Sequence, residues 1–529
     1  MFCKKGFVKR IPKRKSSMNA PTKKNLLVLF FVSFAIRAIT FHFFIAPYQR
    51  YRQADSIDYH NCAVSLHVGT GMHRADTLRP IFWRTPGYPA YLSFFYNLVG
   101  IESNAFSGAA VAQIIALWLQ ILLSSLVPII IFYLAFLLTG ILSVSWLTAW
   151  IYALHLGPVL ASCFLLTEAL AMIFFSLFLL FFYILLRPTG GYGGQESLSK
   201  QKPYFRWKQA TILAALFLGI ATWLRPMGEF VLVVAALLIF ILDGSPKPVL
   251  SKVEGKLKTK TDGTRWKIKL KKVALLGFVF LLITGPWYLR NHKLTGKFFF
   301  CPMFGPYLNS FCAPKILRDK TGLPLEKCIQ MQYRKAELIN KKNEIAAYKK
   351  GKRGCRCFAP LAVALPIVKK YPFTFAYNWF KEVFKTTFDL YSSQLVAFAN
   401  NSFTYDPLEE FLTEKWKQCL YKQKMPLAMR LVVFLELLFE LLKWIGLILS
   451  LRYVLRPLFN KLRGLRTTQD SAYGSGLSLF LKTAPMIGAF IFMTGGFGYA
   501  RLRLPIEPLM ILLSLSSWYW LVKSRKKTK

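Results

Sequence analysis

Long apolar runs separated by short polar segments dominate the chain. A helix rises 1.5 Å per residue, so about 20 apolar residues cross the hydrocarbon core of a bilayer, which is about 30 Å thick. We predict membrane spans at 25–46, 108–138, 141–157, 159–186, 209–224, 227–243, 273–290, 427–451, 477–497 and 505–522. The pattern therefore predicts an all-α polytopic membrane protein with about ten transmembrane helices.

Basic residues between these runs predict the orientation. The net charge of +46 lies in segments that alternate with apolar runs, which indicates membrane topology rather than a nucleic-acid-binding face, so no nucleic-acid partner is expected. With the basic residues 1–24 in the cytoplasm, alternation places four further basic segments inside: 187–208, 247–272, 452–466 and the tail 523–529. Residues 291–425 are also basic and fall outside, because long loops translocate largely regardless of charge.

Two predicted outer segments are too long to be simple turns. The first outer loop, 47–107, has helical periodicity at 56–68 and 88–98, which predicts juxtamembrane helices along the interface. Residues 291–425 combine a charged helical stretch with an amphipathic aromatic one and predict a small outer subdomain resting on the membrane. The remaining divisions are a transmembrane bundle, 25–290, whose first span is predicted not to be cleaved, and C-terminal transmembrane helices, 426–522.

Unusual polar residues collect near the predicted outer ends of the spans. Asp55 and Asp58 begin the first outer loop, and four other parts of the chain contribute Arg84, Arg225, Arg290 with Asn291, and Arg501 with Arg503. Ionisable groups at membrane depth are costly, so a cluster of both signs at one side predicts a functional site. The alternatives are interfacial anchoring for each arginine, helix N-terminal acids for the aspartates, and structural pairing for Arg37 and Glu168 inside the first and fourth spans.

These residues belong to an ordered set of short motifs. In chain order the set comprises Arg37, Asp55-Ser56-Ile57-Asp58-Tyr59 with Ala63 and Gly69, Arg84-Thr85-Pro86-Gly87-Tyr88-Pro89, Thr167-Glu168, Gly219 with Arg225-Pro226, Pro286-Trp287 with Arg290-Asn291 and Gly296, and Arg501-Leu502-Arg503-Leu504-Pro505. On these motifs the chain resembles the GT-C glycosyltransferases. The resemblance is to the branch with protein O-mannosyltransferases and the lipid A aminoarabinose transferase, glycosyltransferase family 39 and its relatives.

The resemblance implies a GT-C-like bundle and a set of roles. Asp55 would be the catalytic carboxylate, with Asp58 at a catalytic position that varies between subfamilies. Arg84 stands where the aminoarabinose transferases have the lysine of a phosphate-binding Lys-Pro-Pro motif. Donor-phosphate binding is then expected from Arg84, Arg225, Arg290, Arg501 and Arg503. Substrate binding is expected from Tyr59, Tyr88, Glu168 and Asn291.

The family's donors are sugars carried on polyprenyl phosphate, and the chemistry of such donors fits these residues. A lipid phosphate departs without a general acid once its charge is neutralised, whereas a glycosidase needs two carboxylates. The expected reaction is hexosyl or pentosyl transfer with inversion, in which Asp55 takes the proton of an acceptor hydroxyl on a lipid, protein or glycan. The expected location is the bacterial inner membrane, with the site facing the periplasm and both termini in the cytoplasm.

Three questions stay open at this stage. A divalent metal ion could assist, with Asp55, Asp58 and His60 as the nearest ligands, but carboxylates at this spacing are not a specific metal signature. A transporter or flippase of a lipid-linked or anionic substrate is the main alternative function, although it would need a path to both leaflets. A non-catalytic scaffold is the third.

Overall fold

The computed structural model describes residues 22–73, 80–186, 207–242, 262–348, 358–392, 427–462, 471–494 and 500–525. Within these ranges the regular structure is helical apart from one isolated bridge between His73 and Pro80. The prediction of an all-α protein is therefore confirmed. Most of the predicted cytoplasmic segment 187–208, much of 247–272, and the end of the tail lie outside the described residues.

The helices of the described residues are numbered in chain order, and short π- or 3₁₀-helical segments also occur, at Thr40–Ile45, Ala46–Tyr48, Leu308–Cys312 and Ala500–Ile506. They are α1 Lys23–Ile39, α2 Ala54–His67, α3 Gly87–Val99, α4 Ala110–Ser124, α5 Val127–Thr139, α6 Leu142–Leu154, α7 Leu156–Ser162, α8 Glu168–Leu185, α9 Trp207–Leu224, α10 Gly228–Leu242, α11 Asp262–Thr295, α12 Phe304–Tyr307, α13 Ala313–Thr321, α14 Leu325–Tyr348, α15 Ala359–Lys370, α16 Pro372–Phe388, α17 Leu427–Ser450, α18 Arg452–Leu462, α19 Ser471–Thr494 and α20 Glu507–Arg525. A 3₁₀ turn, Ala500–Ile506, leads into α20.

Six helical stretches in the described chain are long and apolar enough to cross a membrane: Lys23–Tyr48, Ala110–Thr139, Glu168–Leu185, Trp207–Leu224, Ser475–Thr494 and Ala500–Ser524. A bent pair, α6 with α7, raises the number to seven if it counts as one span, and α10 is a shorter apolar helix. The protein is thus a multi-pass membrane protein. The count of about ten spans stays a prediction. The predicted span 273–290 lies inside α11, and 427–451 matches α17 except for its last residue.

One predicted span is interrupted in the structure. The run 159–186 was expected to be a single helix, but the helix breaks at 163–167, and α7 belongs with α6, from which it bends by 50°. Helix α8 consequently begins at Glu168. A carboxylate in the first turn of a helix is favoured by the partial positive charge of the free N–H groups there. Glu168 therefore lies at the end of a span, not in its interior as predicted.

The main apolar core lies among α8, α9, α10, α11, α19 and α20, through residues such as Phe178, Leu218, Leu276, Phe490 and Leu509. Close helix approach explains Gly219 in α9, because a Cβ there would lie 2.8 Å from the Ile283 side chain of α11. A second core joins α2, α3 and α4 to the segment before α8. This packing brings the start of α8, the end of α9 and the first outer loop to the same end of the bundle.

The predicted helices of both outer segments are present. The first outer loop contains α2 and α3, close to the predicted 56–68 and 88–98. Within 304–348 and 358–388, helices α12 to α16 pack around a small core of Tyr307, Leu308, Cys312, Ala313 and Ala364, and these residues lie in the segment 291–425 for which an outer subdomain is predicted. The aromatic stretch is divided at Tyr371, where α15 ends and Pro372 starts α16.

Candidate functional site

Six charged side chains of alternating sign form a connected chain at one end of the bundle. We call them the charge chain, which comprises Asp58, Arg84, Asp55, Arg501, Glu168 and Arg225. Arg84 Nη2 lies 2.8 Å from both Asp58 Oδ2 and Asp55 Oδ1, and Arg501 Nη2 lies 2.8 Å from Asp55 Oδ2. Glu168 Oε1 is 3.9 Å from Arg501 Nε and 2.9 Å from Arg225 Nη1. Five separate parts of the sequence therefore meet here.

Local structure explains how the first outer loop presents its charges. Gln53 and Ser56 form a reciprocal capping box at the start of α2, which holds Asp55 in the first turn. Asp58 follows three residues later and shares the same helix face. Both carboxylates therefore reach the one guanidinium of Arg84.

The segment that bears Arg84 is fastened to the end of α9. Thr85 Oγ1 donates to the Leu224 carbonyl at 2.8 Å, one residue before Arg225. Gly87 allows this close approach, because a Cβ at that position would lie 2.6 Å from the Trp223 carbonyl oxygen. The positions of Arg84 and Arg225 are thus coupled through the backbone.

The electrostatics of Asp55 follow from its two arginines. Burial alone would raise the pKa of this carboxyl, but Arg501 and Arg84 lower it further than burial raises it, to about 2. Burial lowers the pKa of Arg84, while Tyr59, Asp55 and Asp58 raise it by more, so that guanidinium stays charged. Asp55 is therefore ionised at neutral pH, and it is a weak base as long as both arginines hold it.

The charge chain is open at one end and closed at the other. The Asp55 and Asp58 side chains are 33% and 42% exposed, whereas the Glu168 side chain is only 6% exposed. A ligand therefore reaches the Asp55 end first. The buried Glu168 serves to hold Arg225 and Arg501.

Of the two tyrosines predicted to bind substrate, Tyr59 contacts Arg84 and Tyr88 packs behind Tyr59. The guanidinium carbon of Arg84 lies 4.9 Å from the centre of the Tyr59 ring, a cation–π contact. The Tyr59 ring packs edge-on against Tyr88 at 5.3 Å, and the Tyr88 hydroxyl donates to Gln120 Oε1 at 3.2 Å. Tyr59 borders the site, while Tyr88 is buried and supports it.

Arg290 and Asn291 lie beside the charge chain and contact backbone. Arg290 donates to the carbonyls of Ile81 and Met72 at 3.3 and 3.2 Å. Asn291 is buried and donates to the Phe299 and Phe300 carbonyls. The structure therefore places this pair where it joins the first outer loop to the end of α11, and it does not bring either residue into the charge chain.

Arg503 lies in a different cluster, although it is only two residues from Arg501. It is fully buried, and its Nε and Nη2 donate to Glu507 at 2.6 Å and Glu440 at 2.9 Å. Its Nη1 donates to three carbonyls at the end of α16, those of Thr386, Thr387 and Asp389. With these partners it faces away from the charge chain, so the predicted phosphate contact is not what its geometry supports.

The cluster around Arg503 was missed in the sequence. This buried ion cluster consists of Arg503, Glu507, Glu440, Lys443 and His155. Lys443 Nζ lies 2.8 Å from Glu440 and 2.9 Å from Glu507, and His155 Nε2 lies 3.8 Å from Glu440. In the sequence, the signal for this cluster is a set of charged residues on one face of the otherwise apolar helix α17.

Arg37 is also structural, because it is buried and donates to Ser33 Oγ and the Ala153 carbonyl.

Neither of the two candidate metal sites among the described residues is arranged to bind a divalent ion. His60 is turned away from the aspartates and binds the Tyr96 hydroxyl at 2.9 Å and the Asn104 carbonyl at 3.2 Å. Asp55 and Asp58 instead share Arg84. The ligand atoms of His155, Glu440 and Glu507 lie within 4.8 Å of one another, but Lys443 and Arg503 already balance those two carboxylates.

Comparison with known proteins gives two structural similarities. No protein-family model matches the chain, and no curated protein matches it. An oligosaccharyltransferase of Archaeoglobus fulgidus, tethered to an acceptor peptide with the NVT sequon, aligns at 13% identity and a TM-score of 0.43, over 95% of this chain and 50% of that one. ArnT of Cupriavidus metallidurans, bound to undecaprenyl phosphate, aligns at 12% identity and a TM-score of 0.33, over 94% and 78%.

This chain spans half the length of the oligosaccharyltransferase. Both structures belong to the GT-C glycosyltransferases, the class that the motifs resemble. At TM-scores of 0.43 and 0.33 neither similarity adds an argument about this chain's activity.

Proposed function

We propose that the protein is a membrane glycosyltransferase that moves a sugar from a polyprenyl-phosphate donor to an acceptor hydroxyl, with inversion at the anomeric carbon. One observation carries the proposal: the ionised, partly exposed Asp55 is held between Arg84 and Arg501 at the open end of the charge chain. The same place thus offers a carboxylate base and two cations that suit a phosphate.

The donor phosphate and Asp55 compete for the same two arginines. In the free protein Arg84 and Arg501 keep the pKa of Asp55 at about 2. A phosphate that enters at the exposed end draws hydrogen bonds from both guanidinium groups, because arginine matches phosphate oxygens in geometry and charge. As the arginines turn to the phosphate, the pKa of Asp55 rises toward that of an ordinary carboxyl. Donor binding thereby makes Asp55 a better base.

The transfer step then needs no catalytic base or acid besides Asp55. The acceptor oxygen attacks the anomeric carbon from the face opposite the phosphate, and its proton passes to the Asp55 carboxylate. The bond from the anomeric carbon to the phosphate oxygen breaks, and its electron pair stays on that oxygen. The leaving polyprenyl phosphate gains a second negative charge, which Arg84 and Arg501 stabilise.

The remaining residues act as supports in this scheme. Glu168 holds Arg501 and Arg225 from the buried side, and Arg225 adds a third positive charge at the closed end. Tyr59 sets the plane of the Arg84 guanidinium. Arg290 and Asn291 position the first outer loop that carries both aspartates. Asp58 competes with Asp55 for Arg84, so we assign it a role in orienting that arginine.

The proposed face is the non-cytoplasmic one, and the acceptor is a lipid, protein or glycan of the cell envelope. The alternation of basic segments supports this orientation.

A polyprenyl phosphate is the product of the proposed reaction and is therefore expected to bind the free site. Undecaprenyl phosphate, to which ArnT is bound in its structure, is a practical probe.

The test is Asp55→Asn in the full chain reconstituted in lipid nanodiscs. A panel of synthetic polyprenyl-phosphate sugars is incubated with a crude envelope fraction as the acceptor source, and release of polyprenyl phosphate is followed. Loss of a general base typically lowers a rate by 10²- to 10⁴-fold, and we expect about that loss here. Undecaprenyl phosphate should still bind, and more tightly, because the competing carboxylate charge is gone.

The matched control is Glu102→Gln, an exposed carboxylate in the same outer loop, which should leave the rate unchanged. Full transfer by Asp55→Asn would overturn the assignment of the base. Movement of intact donor between leaflets, without release of polyprenyl phosphate by the unaltered protein, would favour the transporter instead.

A further inference from the structure

Helix α16 exposes a continuous aromatic face. Its side chains at Phe373, Tyr377, Phe380, Phe384 and Phe388 are between 36% and 89% exposed. The spacing of four, three, four and four residues places all five on one side of the helix. Aromatic side chains carry large apolar surfaces, and contiguous exposure of this kind marks an interaction surface.

The opposite face of α16 is polar and buried. Asn378 donates to Asp319 Oδ2 at 3.0 Å, and Glu382 pairs with Lys315. Thr386 and Lys385 are also buried on this side. The helix therefore turns its polar face to the protein and its aromatic face outward, the reverse of a helix on a water-facing surface.

Helix α16 packs against two long apolar helices, α17 and α19. At the middle of α16, Trp379, which lies outside the aromatic face, packs against Phe492 of α19 with ring centres 5.8 Å apart, so α16 lies against that helix. At its end, Phe388 packs against Trp444 of α17 at 4.7 Å. Phe492 and the α17 residue Phe434 are themselves exposed, and α19 belongs to one of the membrane spans. The aromatic face of α16 thus lies beside exposed apolar side chains of α17 and α19.

We propose that α16 is an interfacial helix whose aromatic face lies in the lipid at the membrane surface. The bilayer covers this face, because α16 packs against the membrane helix α19 and its exposed face is aromatic along its full length. The charge pattern agrees: Lys381 is exposed at the edge of the face, and Lys369 and Lys370 precede the helix, where long cationic side chains reach lipid headgroups. This inference requires membrane integration and is independent of the proposed reaction.

The test measures lipid contact residue by residue. A fluorescent amino acid is incorporated by codon suppression at Tyr377 or at Phe384 in the full chain. Each protein is placed in nanodiscs of phosphatidylcholine, with or without lipid brominated in the upper part of its acyl chains. We expect strong quenching by the brominated lipid at both positions and little quenching by iodide from the water.

The matched control is the same fluorophore at Lys335, an exposed position on α14 of the same subdomain, where iodide should quench and brominated lipid should not. Iodide quenching at Tyr377 and Phe384 without lipid quenching would overturn the proposal. The proposal also fails if both quenchers reach these positions in discs that hold one copy of the chain but neither does so in discs that hold two copies. A second copy of the chain would then cover the aromatic face.

Discussion

At the scale of single residues, partners rather than residue type decide what a charged side chain does. Arg501 and Arg503 are two residues apart on one 3₁₀ turn, yet Arg501 contacts the exposed Asp55 while Arg503 has its donors filled by buried groups. A guanidinium with spare access to solvent can exchange a carboxylate for a phosphate. One enclosed by carboxylates and carbonyls cannot do so without leaving those groups unsatisfied.

Competition for the two arginines predicts a pH effect on the proposed reaction. In the free protein the pKa of Asp55 is lowered to about 2, so its basic form persists down to that pH. In the donor complex the arginines are shared with phosphate, and the pKa moves back up toward the ordinary value. The acid limb of kcat, which reports the complex, should therefore lie at higher pH than the acid limb of kcat/KM, which reports the free enzyme.

The measurement is a pair of pH–rate profiles for donor turnover by the unaltered protein in nanodiscs, with Glu102→Gln as the control that should show the same separation. Coincident acid limbs, or a kcat limb at the lower pH, would contradict release of Asp55 by the donor.

At the scale of helices, the buried ion cluster joins elements that are distant in the chain. Arg503 donates to the Thr386 and Thr387 carbonyls at the end of α16 and to acids on α17 and α20. The end of a helix leaves four carbonyls without intrahelical partners, and a cation there satisfies them. The backbone N–H of Ala500 also donates to Asp389, just after α16. The outer subdomain and the turn that carries Arg501 are consequently held together.

This arrangement predicts opposite phenotypes for neighbouring arginines. In Arg503→Met, Glu440 and Glu507 keep Lys443 as a cationic partner but lose the guanidinium, and three backbone carbonyls lose this donor. Removal of one partner from a buried ionic network lowers the free energy of unfolding by about 3–5 kcal/mol. We expect a clearly lower unfolding temperature and lower membrane yield. Arg501→Met should keep both near normal, because Arg501 is partly exposed, but it should weaken binding of undecaprenyl phosphate.

Both variants are compared in detergent by thermal unfolding and in nanodiscs by binding of undecaprenyl phosphate. If Arg503→Met unfolds at the normal temperature, the buried ion cluster does not stabilise the protein as described. If Arg501→Met binds the lipid normally, Arg501 is not a phosphate ligand.

At the scale of the whole molecule, the charge chain lies at one end of the bundle. Helix α11 connects this end to the predicted cytoplasmic side: Trp266 is exposed near its start, and Arg290 lies near its end beside the first outer loop. The helix rises about 36 Å from Trp266 to Arg290, at 1.5 Å per residue, which is more than the thickness of a hydrocarbon core. The two positions are therefore expected on opposite faces of the membrane.

Orientation is tested with single added cysteines and a thiol reagent that cannot cross membranes. Glu102→Cys, in the exposed part of the first outer loop, should react in intact cells. Trp266→Cys should react only after the membrane is opened. The unaltered protein provides the background from its native cysteines. The reverse pattern would place the charge chain on the cytoplasmic face and would rule out the proposed topology.

The amino-acid sequence by itself determined the helical class, the positions of α2 and α3, the helices of segment 304–388 and the identity of all six charge-chain residues. These features depend on local properties: run length, helical periodicity and the cost of a charge beside an apolar run. Asp55, Arg84 and Arg501 were found for that reason, before any contact between them was known.

Only the tertiary structure decided which charges meet. The pair of Arg501 and Asp55 joins residues 446 positions apart, and the helix break before Glu168 brings that acid to the site. Helix packing also sent Arg503 into the buried ion cluster and turned the aromatic face of α16 outward. Periodicity specifies which side of a helix is apolar, but the neighbour on each side is set by how the whole bundle packs.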